Sequence, residues 1–314
     1  MSSAIATFVK ISPQRLEHHA TGHRFRAGDL DWTTPFDRNA FLICPTLTPL
    51  YYTPSYELLN AEQQRRYNQL VALSTNELVG AFERALQPIL RNLSINKRLP
   101  TNLRSLLPRF IEDETCHADI WWRLNRLAEP GWYAADPMHL VHLPPMVRIL
   151  LRALVSHPSP FPVGLWTTLI LEEHSMEITR RCTQCAVGIE PRFLAEYQLH
   201  AHDEARHIQI DWHMLELLLD RLSPAMLRLN IHLLQMIVSR FFLRPVNVAI
   251  RVLAQLAREF PELIQRMPKF QADLATLSTS GEYRKMIFSQ QANPVTFGFI
   301  NRLPDARRIF ADLS

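Results

Sequence analysis

Residues 200–207 read His-Ala-His-Asp-Glu-Ala-Arg-His, and residues 113–117 read Asp-Glu-Thr-Cys-His. In each stretch a Glu stands three residues before the final His, a spacing that places both side chains on one face of an α-helix. Two Glu-x-x-His motifs, with one further Glu from each of two other helices, form the dinuclear metal site of ferritin-like four-helix bundles. The motif residues are Glu114, His117, Glu204 and His207.

The two single glutamates must come from the helices on either side of the first motif. Glu77 lies one turn from Leu73 and from Ala81 on a mostly apolar stripe, and Glu173 lies on a helix rich in apolar residues. A buried carboxylate without a partner is costly and normally binds a cation or becomes neutral. We therefore predict that Glu77 and Glu173 are the two single glutamate ligands. The alternatives left open are Glu62 and Glu83 for the first, and Glu172 and Glu177 for the second.

The second motif contains an additional candidate ligand, His200, which is one turn before Glu204 and shares its face, whereas His202 points elsewhere. Asp113 and Asp203 each precede a motif Glu. Metal-bound imidazoles usually donate their second N–H to a carboxylate or carbonyl. We therefore expect each aspartate to orient the histidine of the opposite helix, and Arg206 to pair with one of them.

The composition predicts an all-α protein. The chain has 314 residues, 47% of them hydrophobic, with 8 Gly and 22 Pro. Scarce Gly, with Pro between the apolar runs, favours helices over a loop-rich β protein. We predict a ferritin-like helical bundle with additional helices at residues 55–314, after an irregular N-terminal arm at residues 1–54. Periodicity places the helices at about 54–92, 103–127, 146–155, 162–185, 191–223, 225–243, 245–260 and 282–290.

Charge and targeting signals predict a cytoplasmic protein without a nucleic-acid partner. The net charge is +4, and the charged residues are interspersed rather than grouped. No signal-peptide pattern begins the chain, and three arginines interrupt the most apolar late region, residues 231–256, so we expect no membrane span. The four cysteines suit a reducing compartment, and Cys182 and Cys185 are expected to be two cysteines on one helical turn. The other two are Cys44 and Cys116.

The order Glu, Glu-x-x-His, Glu, His-x-x-x-Glu-x-x-His resembles the AurF-type non-haem diiron N-oxygenases, which act on p-aminobenzoate and related aryl amines. The specific mark is the additional histidine, here His200, and the resemblance covers about residues 60–210. It implies a homodimer that uses two iron ions, with an iron–manganese pair left open, and dioxygen as co-substrate. It also implies seven ligands, which are Glu77, Glu114, His117, Glu173, His200, Glu204 and His207.

The resemblance implies an N-oxygenase that converts an amine to a hydroxylamine, nitroso or nitro product in a biosynthetic pathway. Members acting on p-aminobenzoate hold its carboxylate with an Arg about a turn and a half before the first ligand Glu. That position is Ala72 here, which favours other amines, free or tethered to a carrier protein. Gly80, Ala81, Thr168 and Ile170 are candidates for the pocket lining.

Other functions of dinuclear sites stay open at this point. The ligand set also suits an oxygenase that acts on carbon, by hydroxylation, desaturation or C–C cleavage. Iron storage is disfavoured by the basic charge and the length, and a radical-generating subunit would need a tyrosine such as Tyr197 near a metal. Because Gly-rich phosphate-binding motifs and iron–sulfur cysteine sets are absent from the sequence, we expect an external electron donor.

Overall fold

The computed structural model describes residues 10–19, 24–142, 154 and 156–311. Within these ranges the regular structure is helical, apart from one isolated parallel bridge between Phe41 and Ile189. The predicted all-α class is confirmed. The helices are α1 Pro13–His19, α2 Ala61–Ser94, α3 Thr101–Arg104, α4 Leu107–Ala128, α5 Val163–Thr183, α6 Pro191–Leu219, α7 Pro224–Ile237, α8 Val246–Glu259, α9 Met267–Ala275, α10 Gly281–Ile287, α11 Pro294–Arg302 and α12 Pro304–Phe310.

The long helices begin at residues that satisfy the free N–H groups of a first turn. At the start of α2, the Asn60 side chain accepts a hydrogen bond from the Gln63 N–H, and the Gln63 side chain accepts one from the Asn60 N–H. Helix α6 begins with Pro191 after a capping Glu190. Such local signals explain why periodicity places these helix starts within a few residues, except that α2 begins at Ala61 rather than 54.

Four long helices form the bundle that ferritin-like folds share. Helix α2 packs along α4 and α5 packs along α6, while α4–α6 and α2–α5 contacts join the two pairs. The buried apolar residues form two clusters at opposite ends of these helices. One contains Leu86–Leu93 positions of α2 and Phe110 of α4; the other contains Leu70–Leu73 positions and Ile120. The predicted ligand positions lie between the two clusters, where the helices carry buried polar residues.

Outside the bundle, residues 24–59 run across it as an arm of short turns. Leu42 and Ile43 are buried, and both donate backbone N–H groups to the Asn68 side chain of α2. The arm therefore packs on the bundle, although its division from residues 55–314 as a separate unit stays a prediction. Most of the helix predicted at 146–155 lies outside the described residues.

One stretch of the described chain, Pro224–Glu259, is long and apolar enough to cross a membrane by length and composition. It is not a continuous α-helix. Helix α7 ends at Ile237, a π-helical turn follows at Val238–Phe242, and α8 begins after Pro245. This interruption coincides with two of the arginines that argued against a span.

Candidate metal centre

One carboxylate oxygen occupies the middle of the centre. Glu204 Oε1 lies 2.9 Å from His200 Nε2 and 3.4 Å from His207 Nδ1. The same oxygen lies 3.7 Å from His117 Nδ1. Glu114 Oε1 approaches from α4, 3.0 Å from His207 Nδ1. All five side chains are buried, so the two motif helices bring their Glu and His groups together as their spacing predicts.

Two aspartates hold the imidazoles from the opposite side. Asp203 Oδ2 lies 3.2 Å from His117 Nε2, and Asp113 Oδ2 lies 3.6 Å from His207 Nε2. Each aspartate therefore faces the histidine of the other helix, which confirms the prediction made from the sequence. An ionised carboxylate only accepts hydrogen bonds, so it favours the proton on Nε2 and leaves the Nδ1 lone pair facing the glutamates.

Cations keep these aspartates ionised. Arg206 Nη2 donates to Asp113 Oδ2 at 2.7 Å and to Asp203 Oδ1 at 2.9 Å, as predicted for Arg206. Burial alone would raise the pKa of Asp203, but the His117 hydrogen bond and the Arg206 charge outweigh it and lower that pKa to about 2. For Asp113, burial is likewise outweighed by His207, Arg24 and Arg206, and its pKa falls well below the usual value.

The N-terminal arm contributes contacts that the sequence did not reveal. Arg24 Nε donates to Asp113 Oδ1 at 2.7 Å, and the Phe25 N–H donates to Asp203 Oδ2 at 3.3 Å. The arm thus covers the two aspartates from outside the bundle. No local motif marks Arg24 or Phe25, because their partners lie about 90 and 180 residues away in the chain.

Helix α2 brings Glu83 to the centre. Its Oε1 accepts a hydrogen bond from Trp121 Nε1 at 2.9 Å and lies 3.3 Å from His200 Nε2, while its Oε2 is buried without a partner. Glu83, His117 and His200 place ligand atoms within 4.8 Å of one another, and so do the four residues of the two Glu-x-x-His motifs. Glu83 was one of the two open alternatives to Glu77; the other, Glu62, is exposed.

Glu77 lies in neither group, and its carboxylate has partners elsewhere. Its carboxylate accepts the Tyr133 hydroxyl at 2.6 Å, the Leu140 N–H at 2.9 Å and the Val141 N–H at 2.7 Å. Glu77 is six residues before Glu83, between one and two helical turns. Both stand on buried positions of α2, and only the fold of the 133–141 segment shows that Glu77 is a structural hydrogen-bond acceptor.

On α5, Glu173 also has partners away from the two groups. Glu173 accepts the backbone N–H groups of Val295 and Thr296, at 2.5 and 3.1 Å, and so caps the first turn of α11. Glu172, an open alternative, has both oxygens buried without a hydrogen bond. Burial raises the pKa of Glu172 well above its usual value, and the charges of Asp211, Glu204 and Glu114 add to this effect. On α5, the buried carboxylate without a hydrogen bond is thus Glu172 rather than Glu173.

Two other residues considered from the sequence, Glu177 and Tyr197, have partners of their own. Glu177 pairs with Arg180 and Arg181, both at the surface end of α5. The Tyr197 hydroxyl donates to the Leu42 carbonyl at 3.0 Å. These contacts leave neither group directed at the centre.

Two buried carboxylates were missed altogether. Glu196 is one turn before His200, Asp211 is one turn after His207, and all four of their oxygens are buried without a hydrogen-bond partner. Burial raises the pKa of each well above its usual value, and the charge of Glu204 adds to the effect. The signal was present in the sequence, because 196, 200, 204, 207 and 211 continue one helical face.

The centre fits a pair of divalent metal ions. Its unpartnered buried atoms include Glu114 Oε1, Glu83 Oε2, both Glu172 oxygens and the inward nitrogens of all three histidines. Such a set is costly unless cations compensate it. When ionised, the four glutamates Glu83, Glu114, Glu172 and Glu204 carry a formal charge of −4, which two divalent ions would neutralise. Mixed carboxylate and imidazole ligands suit iron or manganese better than a thiolate-preferring metal.

Comparison with known families agrees with this geometry. The family model described as P-aminobenzoate N-oxygenase AurF matches residues 11–275. The chain belongs to the AurF family. Searches of the curated proteins and of the solved structures gave no significant match. The family match extends beyond residues 60–210, where the sequence motifs stand, and includes the part of the arm that carries Arg24 and Phe25.

The structure also locates the position, about a turn and a half before the first glutamate, at which the family resemblance would place an arginine. Counted from Glu77, that position is Ala72, which is buried in an apolar cluster. Counted from Glu83 by the same interval, it is Leu78, whose side chain is 40% exposed. In both cases the position carries no arginine.

A cleft of about 240 Å³ opens between α2 and α4. Gly80 and Ala81, two of the predicted pocket residues, line it together with Asn76, Arg84 and Trp122. Thr168 and Ile170 do not; both are buried in α5. The cleft adjoins Ala118, which follows His117 directly in the chain.

Proposed function

We propose that this AurF family member is a non-haem diiron, dioxygen-dependent N-oxygenase that converts an amine to a hydroxylamine, nitroso or nitro product in a biosynthetic pathway. The observation that carries the proposal is the position of Glu204, whose Oε1 lies within 3.7 Å of three imidazole nitrogens. The third imidazole, His200, is the feature that the family motif adds to the two Glu-x-x-His pairs.

We assign the ligands by the groups in which their atoms lie. Glu83, His117 and His200 would hold one ion. Glu114, Glu204 and His207, whose group also includes His117, would hold the other. Glu172 lies in neither group, but it is buried without a hydrogen bond and interacts electrostatically with Glu114 and Glu204, so we propose it as a further ligand. When bound, the two ions supply dioxygen binding and its reduction, which is chemistry that side chains alone do not perform. Two iron ions are proposed; an iron–manganese pair would fit the same donors.

The chain's own contribution is to orient the donors and exclude water. Asp203 is hydrogen-bonded to the outer nitrogen of His117, and the Asp113 charge lies 3.6 Å from the outer nitrogen of His207. Both carboxylates favour a proton on the outer nitrogen and would leave the inner nitrogen to the ions. Trp121 fixes Glu83 by its indole N–H. Apolar clusters close the bundle on both sides of the centre, which strengthens electrostatic interactions within it.

The proposal also covers the substrate, the electron donor and the oligomeric state. Leu78 and Ala72 offer no cation for an aryl carboxylate, so we propose an amine other than p-aminobenzoate, free or carrier-tethered. An external donor would supply the electrons. A cytoplasmic homodimer is proposed from the family resemblance; its mass in solution would be twice the 36.5 kDa of one chain.

A product assay tests this function. The protein is loaded with ferrous iron, reduced without air and then exposed to air with aryl amines, amino acids and aliphatic amines, and the products are followed by mass spectrometry. Oxygen gained on an amine nitrogen is the expected result, and the Glu204→Gln variant should give none. Oxygen gained only at carbon, or desaturation, would instead assign the alternative reaction of a carbon-oxidising diiron oxygenase.

A further inference from the structure

A second cluster of reactive side chains lies away from the metal centre, where the arm meets the turn between α5 and α6. Cys44, Cys182 and Cys185 meet there as free thiols. The Cys185 Sγ lies 2.8 Å from the Cys44 Sγ, and the Cys44 backbone N–H donates to the Cys182 Sγ at 3.3 Å. The C-x-x-C pair is therefore divided: Cys185 faces Cys44, and Cys182 faces a backbone amide.

The surrounding backbone already holds the two segments in place. Phe41 and Ile189 form a parallel bridge, and the Glu190 N–H donates to the Phe41 carbonyl at 2.8 Å. A disulfide bond needs sulfur atoms about 2.05 Å apart. The two thiols therefore need to move closer by less than 1 Å, which side-chain rotation supplies without a change in the path of the chain.

We propose that Cys44 and Cys185 are a site of oxidative modification, at which hydrogen peroxide converts the two thiols to an intramolecular disulfide. Peroxide first oxidises the half-buried Cys185 sulfur to a sulfenic acid and releases one water. The Cys44 thiol then attacks that sulfur; the S–S bond forms, the S–O bond breaks and a second water leaves. Two thiols and one peroxide give one disulfide and two waters.

The site is selective because each of the other two cysteines lacks a suitable partner. Cys116 has no thiol partner in the described structure, and its Sγ–H donates to the Phe25 carbonyl at 3.6 Å. Cys182 is buried, and its sulfur accepts the Cys44 amide hydrogen. Burial and the hydrogen bond to Cys44 raise the pKa of Cys185 to about 11, so the reaction is expected to be slow and to need a strong oxidant rather than exchange with small disulfides.

The modification would join residues that are 141 positions apart in the chain. It ties the arm, which carries Arg24 and Phe25, to the segment that leads into α6. Closing so long a loop stabilises the folded state, chiefly by restricting the unfolded chain. For a chain of this length the midpoint of thermal unfolding should rise by about 5 °C.

Peptide mapping under non-reducing conditions tests the proposal. The full-length, fully reduced protein is treated with hydrogen peroxide, alkylated and digested with trypsin. The expected product joins peptide 39–65, which holds Cys44, to peptide 182–192, which holds both Cys182 and Cys185. Because trypsin leaves those two cysteines together, Cys182→Ser and Cys185→Ser variants decide between them: the first should keep the link and the second lose it.

Cys116→Ser serves as the matched control and should keep both the link and the rise in the unfolding midpoint. Cys185→Ser is the main test variant because residue 185 is only half-buried and its replacement should not prevent folding. A link that survives in Cys185→Ser, or peroxide treatment that gives sulfinic acid at Cys185 with Cys44 still alkylated, would overturn the proposal.

Discussion

The two motif helices, α4 and α6, and the two helices with single glutamates, α2 and α5, all carry buried carboxylates at the level of the metal centre, but they position them differently. On α4 and α6, each Glu-x-x-His is preceded by an aspartate that faces the other helix's histidine, so the two helices support each other. On α2 and α5, two buried glutamates stand within six residues of each other, and only one of each pair faces the centre. The motif helices can be interpreted locally; the other two require knowledge of their distant neighbours.

The difference shows how a ligand is told from a structural acceptor. Glu77 and Glu173 are buried, but each accepts backbone N–H groups that would otherwise be unsatisfied. Glu83 keeps one oxygen and Glu172 keeps both without a hydrogen bond. Burial alone does not mark a metal ligand; burial with unsatisfied oxygens next to the three histidines makes a carboxylate a candidate, because a bound cation would offset that cost.

The largest effect is expected on the motif helices, at Glu204. Glu204→Gln removes the charge of a carboxylate that lies within 3.7 Å of all three imidazoles, and we expect affinity for ferrous iron to fall by at least about 100-fold, since even outer partners of ligands contribute 10–100-fold. Iron content after gel filtration measures it. Glu216→Gln, at the partly exposed end of the same helix, is the control and should keep its iron. Full iron in Glu204→Gln would contradict the assignment.

Variants on α2 and α5 test which glutamates bind metal and which accept structural hydrogen bonds. Glu83→Gln and Glu172→Gln should each lower the iron bound from two ions per chain toward one, because each removes a ligand from a different ion. Glu77→Gln and Glu173→Gln should retain both ions. Instead, each should lower the free energy of unfolding by about 1–3 kcal/mol, because an amide replaces a carboxylate that accepts buried N–H groups.

Iron content and urea unfolding, measured on the same four variants, separate the two kinds of glutamate. We expect Glu83→Gln and Glu172→Gln to lose iron and keep their stability. We expect Glu77→Gln and Glu173→Gln to lose stability and keep their iron. If Glu77→Gln lost iron while Glu83→Gln kept it, Glu77 rather than Glu83 would be the ligand on α2, as the sequence predicts.

The sequence was sufficient where the evidence is local. Most boundaries of the long helices followed from periodicity and Pro residues, and the crossing of Asp113 and Asp203 followed from two repeated motifs. Helices α1, α9, α11 and α12 were not predicted. The sequence was insufficient where partners are distant in the chain. Glu173 is hydrogen-bonded by α11, more than 120 residues later, and Glu77 by the segment near Tyr133. Spacing on a helix gives the face of a side chain, but it does not show which distant backbone group reaches that face.

A smaller effect is expected from the aspartates that distinguish the motif helices. Asp203→Asn keeps the shape but weakens the acceptor behind His117, so iron affinity should fall by about 10–100-fold without unfolding the chain. Glu112→Gln is a matched control, because Glu112 pairs with Arg24, as Asp113 does, but is largely exposed. Competition with a chelator measures the affinities. Equal affinities in Asp203→Asn and Glu112→Gln would show that the aspartate does not position its histidine.

The smallest effect, and the one that joins both halves of the centre, is a dependence on pH. Burial raises the pKa of Glu114 to about 8, and the pKa values of Glu172 and His207 also lie well above their usual values. A group with a raised pKa binds more protons in the folded state, so its stabilising contribution is complete at low pH and is lost as pH rises through the folded pKa. The pKa values of His117, His174 and His213 are lowered, chiefly by burial, and act in the opposite direction. They are outnumbered by the raised pKa values, which also include those of Glu173, Glu196 and Asp211. The metal-free chain should therefore lose stability to urea between about pH 5 and pH 8.5, whereas ferrous iron, by displacing these protons, should bind about tenfold more tightly per pH unit for each proton released. Metal-free stability that is flat or rising over that range would mean that the buried carboxylates are satisfied within the protein, and the distinction between ligand and structural glutamates would lose its physical basis.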